Sequence, residues 1–152
     1  MTVPEAFSTG VAHKIGRYSD AVRVPAGYEQ IVTSGTPGLR PDGTLPDDFA
    51  EEARQAWRNI AEALAGAGAQ LTDIVSVRQW LTSADDIPVY AAVRSEVIKH
   101  EPTFMLGVLS GLVWPQIRVE IEVTAVRPAG GLFPPYRRPY GPGRARHSLR
   151  VR

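Results

Sequence analysis

From Ile117 to Ala125 the chain alternates strictly: Ile117, Val119, Ile121, Val123 and Ala125 are apolar, and Arg118, Glu120, Glu122 and Thr124 between them are polar. A period of two sends the first set to one face of a β-strand and the second set to the other. One strand face therefore carries two carboxylates and a guanidinium, and it either meets bulk water or lines a site. Earlier in the chain the period changes. Phe49, Ala53, Ala56, Trp57, Ile60 and Leu64 recur at helical spacing, which places Trp57 in the core. Asp47 is the expected N-cap, Glu51 and Glu52 suit the positive end of the helix dipole, and Gly66 or Gly68 stops the run. A second helix is predicted to start at Asp85-Asp86 with Pro88 in its first turn. Val89, Tyr90, Val93 and Val97 form its stripe, and Pro102 bars continuation past His100, which sits near the helix C-terminus.

Four further stretches read as strands. Residues 29–35 are one, with a partner over 21–24 across the turn Pro25-Ala26-Gly27. Residues 73–82 are another: Val75, Val77 and Leu81 share one face, Ile74, Arg78 and Trp80 the other, and apolar bulk on both faces predicts a central strand. Residues 103–109 follow, then a loop over 111–116 with Trp114-Pro115. The predicted order is β-β-α-β-α-β-β, an α+β chain. Two helices cannot cover both faces of such a sheet, and right-handed crossovers place them on one side. The opposite face would then show Val, Ile and Trp side chains to water, a patch a monomer rarely tolerates. Burial between copies resolves this, and predicts a homo-oligomer with pockets between chains.

Charge divides the chain in two. Residues 1–126 hold 10 Lys/Arg against 16 Asp/Glu, a net −6, whereas 127–152 hold 7 Arg and no acid. The second segment also has five prolines, four glycines and no apolar period, so the expected organisation is one domain over 1–126 and a disordered basic tail over 127–152. Nucleic-acid binding has only that tail behind it. Absence of cysteine excludes disulfides and thiol catalysis. No apolar run reaches the ~18–20 residues of a membrane span, and the first residues lack a signal-peptide pattern. The expected setting is the cytoplasm. His13, His100 and His147 show no metal-ligand spacing, so neither metal nor cofactor is expected. Ser34 has no histidine or acid close in sequence to activate it as a nucleophile.

Several short motifs in order carry a resemblance: Ile15-Gly16-Arg17-Tyr18-Ser19-Asp20-Ala21, Ser34-Gly35, Gln55-Ala56-x-x-Asn59, Leu81-Thr82 and Val119-Glu120-Ile121-Glu122. Together, from about Lys14 to Val126, the chain resembles the RidA/YjgF family of enamine/imine deaminases. The resemblance implies a chorismate-mutase-like fold, a homotrimer around a sheet-lined barrel, and three clefts between subunits. It implies that Tyr18 lines the cleft, that Ser34 and the Gly35 N–H meet ligand or water, and that Glu120 positions the attacking water. The family's deaminating branch has Pro-x-Arg, whose arginine grips a substrate carboxylate; here Pro102-Thr103-Phe104 offers Phe104, and the asparagine expected on the second helix falls at Ala91.

The substitution at Phe104 removes a bidentate contact worth ~1.5–3 kcal/mol per charged hydrogen bond and leaves a buried carboxylate unpartnered. Ordinary 2-imino acids are therefore expected to be poor substrates, and a less anionic, more apolar or aromatic ligand fits better. Arg118 either replaces the missing clamp or pairs with Glu120 or Glu122. Trp80 and Trp114 belong either to an interface or to a pocket wall. Two functional readings follow: hydrolysis of a small imine, enamine or related unsaturated metabolite, with Glu120 and Ser34 as the working groups, or a non-catalytic homotrimer that binds a metabolite or a protein. The family's association with RNA cleavage is a third, supported only by the tail.

Overall fold

The alternating run near the end of the chain becomes a ten-residue strand on which the other elements assemble. The computed structural model describes residues 2–130. Within them lie β1 (Glu5–Phe7), β2 (Ala21–Arg23), β3 (Tyr28–Val32), β4 (Thr36–Pro37), α1 (Phe49–Gly66), β5 (Ile74–Leu81), α2 (Ile87–Val97), β6 (Thr103–Val108) and β7 (Val119–Pro128). The main sheet is mixed, in the order β3-β7-β5-β6 with β4 also beside β7. β7 is antiparallel to β3, β4 and β5, while β5 and β6 run parallel through the α2 crossover. β5 lies between β7 and β6, the central place its two apolar faces predicted.

Both helices cover one face. Phe49, Ala53, Ala56, Trp57, Ile60 and Leu64 of α1 and Tyr90 and Val93 of α2 share a single core with Val77, Leu81, Val119, Ile121, Val123 and Ala125 of the sheet. Apolar burial of this kind, about 25 cal/mol per Å² removed from water, is the main favourable term holding the layers together. Local chemistry sets the helix starts, though at other residues than expected. Asp48, not Asp47, caps α1: its Oδ2 accepts from the Glu51 N–H at 3.0 Å, and Asp47 offers its carbonyl to Arg118. Asp85 and Asp86 lie in a 3-10 turn capped by Ser83, whose Oγ accepts from the Asp85 N–H, and α2 follows with Pro88 in its first turn. Val89 stands outside the buried stripe. His100 lies beyond the end of α2, and its Nε2 meets the Ile74 carbonyl at 2.7 Å rather than the helix terminus.

Three strand expectations change. β2 pairs with β1 in a separate two-stranded sheet, not with β3, because β3 takes β7 as its partner. The strand expected over 29–35 stops at Val32 and resumes at Thr36. In β5 a register shift between Ile74 and Ser76 inserts Val75 as a bulge and reverses the parity at that end. Ile74 therefore joins Val77, Gln79 and Leu81 on the buried side, and Ser76, Arg78 and Trp80 take the other.

The uncovered face is consequently more polar than the Val, Ile and Trp surface predicted. Arg78 pairs with Glu122 across the β5–β7 ladder at 3.0 Å, Trp80 sits opposite Glu120, and Val32 is 69% exposed. A Cβ on Gly107 would lie 2.8 Å from Cζ3 of Trp80, so the indole lies over β6 on this same face. β7 runs through Arg127 and Pro128, which pair with Glu29 and Tyr28. The rest of the expected basic tail, from residue 131 on, lies outside the described residues.

Candidate functional site

Glu120 is positioned by a strand that is paired on both sides, to Pro37 of β4 and to Trp80 of β5. Its neighbour Gly35 is reached through Thr33. The Thr33 N–H donates to the Val123 carbonyl, and the Thr33 hydroxyl accepts from the Val123 N–H, both at 3.0 Å. A side-chain oxygen thus takes the place of the Thr33 carbonyl in the ladder, and the main chain peels away over Ser34 and Gly35. At Gly35 an added Cβ would stand 2.9 Å from Glu120 Oε2, so the carboxylate is packed directly against the glycine. Asn59 fixes the following turn from α1 by donating to the Pro37 and Leu39 carbonyls at 2.9 and 2.8 Å.

Glu122 beside it pairs with Arg78, but among the described residues no ion pair involves Glu120. Burial, and then the like charge of Glu122, push the Glu120 carboxyl above the ordinary glutamate range. A carboxylate with raised basicity beside an exposed serine and a glycine can take a proton from water.

Tyr18 and Phe104 form a second cluster. The loop carrying Tyr18 is tied down by Ser19, whose Oγ donates to the Glu101 carbonyl at 2.6 Å and whose N–H donates to the Pro102 carbonyl at 3.1 Å. Asp20 accepts from the N–H groups of Thr9 and Ala12, and the Thr9 bond above all holds its carboxyl below the usual carboxylate range. The ring centroids of Tyr18 and Phe104 are 5.6 Å apart and tilted by 43°. Over Phe104 lies a residue absent from the expected site: the Arg94 guanidinium of α2, 4.2 Å from the ring centroid. Its Nη1 donates to Gln79 Oε1 at 3.1 Å, and the same oxygen accepts from the Tyr90 hydroxyl at 2.7 Å. Partial burial draws the Arg94 pKa down from its ordinary value, while Tyr90 and Tyr18 oppose the shift. Its mark in the sequence is faint: Arg94 lies four residues after Tyr90, on the face assigned to the apolar stripe, and belongs to no motif.

The two clusters occupy opposite sides of the sheet. Phe104 is in register with Val77 on the helix-covered face, and Glu120 is in register with Trp80 on the open face. One copy therefore does not bring Glu120, Ser34 and Gly35 together with Tyr18 and Phe104. Trp114 stands in the loop after β6, 45% exposed, outside the Tyr18–Phe104 ring pair.

Arg118 fits neither role expected of it. Its Nε donates to Glu52 Oε2 at 2.6 Å, its N–H donates to Glu52 Oε1 at 2.8 Å, and its Nη2 reaches the Pro46 and Asp47 carbonyls. Glu52 is a fully buried acid on α1, so Arg118 turns inward as its partner and is removed from the Glu120 face. A cavity of about 360 Å³ between the β1–β2 hairpin and the main sheet, lined by Ala6, Val22, Tyr28, His100 and Val126, contains none of the expected site residues.

A five-stranded mixed sheet with two helices on one side, and a carboxylate packed on a glycine at the break of an edge strand, define an α+β protein of chorismate-mutase-like fold. The chain belongs to the RidA/YjgF family: the family model described as Endoribonuclease L-PSP matches residues 9–127. The chain is 33% identical over 122 residues to the 2-iminobutanoate/2-iminopropanoate deaminase of Rattus norvegicus, covering 74% of this chain and 82% of that one. A YjgF/YER057c/UK114 family member from Mycobacterium tuberculosis superimposes with a TM-score of 0.58 at 31% identity, covering 80% of this chain and 98% of that one. RidA from an Antarctic Psychrobacter gives 0.60 at 28% identity, over 73% and 89% of the two chains.

Proposed function

We propose that the chain assembles as a homotrimer and hydrolyses a small imine or enamine in clefts between copies. The observation that carries this reading is the division of the site across the two faces of one sheet. A Glu120–Gly35 half and a Tyr18–Phe104 half that cannot meet within a copy can meet across a contact between two. In such a cleft the Glu120 carboxylate takes a proton from water as the oxygen adds to the C=N carbon. The proton then passes to the nitrogen, and the tetrahedral adduct collapses to a carbonyl compound and ammonia. The Ser34 hydroxyl and the Gly35 N–H hold the polar head, and Trp114 serves as a wall.

Relatives of this chain carry the name 2-iminobutanoate/2-iminopropanoate deaminase, which describes short 2-imino acids. Phe104 supports a different preference, for a substrate with an apolar or aromatic body that stacks against Phe104 and Tyr18. The same residue also supports a second reading, a trimer that binds such a molecule without turning it over. Ammonia release from imines generated in situ from phenylalanine, leucine and alanine separates the two. The expected result is release with the aromatic imine and little or none with the alanine imine, an ordinary short 2-imino acid; none with any of the three leaves the binding reading alone.

A further inference from the structure

We propose that Arg94 is the anion-binding residue of this site and that it takes the carboxylate of a ligand whose apolar or aromatic body lies against Phe104 and Tyr18. The arginines Arg17, Arg23, Arg54, Arg78 and Arg118 each pair with a glutamate. Arg94, half-buried in the side of the fold, has no carboxylate within 4 Å among the described residues. Arg40 and Arg58 likewise lack an ion pair, but both are exposed, where water solvates a guanidinium fully.

The guanidinium of Arg94 is held rigidly. One face stacks on Phe104, the Tyr90 ring is 5.9 Å away, and Nη1 is spent on Gln79. Among the described residues, the bond from Nη1 to Gln79 is the guanidinium's one hydrogen bond, which leaves Nε and Nη2 unpaired. A planar fork of N–H groups with one donor anchored, one face covered and other donors unpaired is suited to bidentate contact with a carboxylate. Ala91 lies one turn earlier on the same helix face and carries only a methyl group. The cation that position 104 does not supply therefore comes from α2, stacked on the very ring that replaced it. Phe104 acquires a function as the plate that orients Arg94.

This inference rests on the proposed cleft only in identifying the anion as substrate; binding itself is independent of turnover. The test is calorimetric titration of the full-length protein with benzoate and with benzamide, its neutral counterpart. Benzoate is expected to bind at least 10-fold more tightly than benzamide, and Arg94→Met, which keeps an apolar stem over Phe104, is expected to erase that preference. Arg94→Lys should restore part of it, since a point charge replaces the fork. Equal affinity for the two probes in the unmodified protein, or a benzoate preference unchanged in Arg94→Met, overturns the assignment. Should Arg94→Met not fold, the comparison of probes in the unmodified and Arg94→Lys proteins decides. Benzoate bound through Arg94 by a protein that releases no ammonia would sink the hydrolytic reading and leave this one standing.

Discussion

Glu120 is set apart by what does not touch it. Its neighbour Glu122 is bound to Arg78, whereas Glu120 is left against Gly35 with its pKa raised by burial. Activity that depends on the ionised carboxylate should rise with pH through a value above the ordinary glutamate range. Glu120→Gln should lower the rate of ammonia release at least ~10²-fold, the lower end of what a positioned base contributes. Linkage gives a second readout. The folded state holds this proton more tightly than the unfolded chain, so the stabilising contribution is full below the unfolded pKa and is lost as pH rises through the folded one. Glu120→Gln should therefore melt higher than the parent at neutral pH, and this advantage should vanish in acid. A lower melting temperature at neutral pH would contradict the assigned shift. Glu52, unlike Glu120, has a cationic partner. Its buried carboxylate is held by the Arg118 backbone and side chain, and Glu52→Ala should cost about 2–4 kcal/mol in denaturant unfolding. That is below a fully enclosed pair, because the Arg118 side chain keeps 34% of its surface exposed. Sequence alternation placed Arg118 and Glu120 on one face but could not show that Arg118, just before β7 begins, has an acid waiting on α1.

Among the elements, those with long, regular periods were readable and those decided by partner choice were not. α1, α2 and β7 emerge where the apolar spacing puts them, because a buried stripe leaves a plain mark on the chain. The pairing of β2 depends on a three-residue β1 whose side chains are all exposed, and nothing in Glu5-Ala6-Phe7 announces it. The bulge at Val75 is equally silent, yet it moves Ile74 across the sheet. Gln79 in the next turn of the pleat ties the elements together: its oxygen accepts from Tyr90 and Arg94 of α2, and its Nε2 donates to the Met105 carbonyl of β6 at 3.0 Å. Tyr90→Phe removes one of these bonds inside the core and should destabilise by about 1 kcal/mol in denaturant unfolding. No measurable change would show that the Tyr90 hydroxyl contributes nothing to holding α2 on the sheet.

At the scale of the molecule, the uncovered sheet face presents Trp80, Met105 and the 69%-exposed Val32 beside a row of charges. The proposed trimer would cover it. Sedimentation of the full chain should give a three-copy species; a stable single-copy species would leave each half of the site without its counterpart. Of that site, Glu120, Gly35, Tyr18 and Phe104 could be picked out from sequence by resemblance, and the structure packs them into two pairs. Arg94 could not, because no motif contains it and its meaning depends on which ring lies beneath it.

A site divided between opposite sides of one sheet also has a genetic consequence. Inactive Glu120→Gln chains and inactive Arg94→Met chains, unfolded and refolded together, would form mixed assemblies in which roughly a quarter of the crevices receive an intact acid from one parent and an intact cation from the other. Two dead proteins would thus complement each other in a test tube, whereas blending them after assembly, without exchange of copies, would restore nothing.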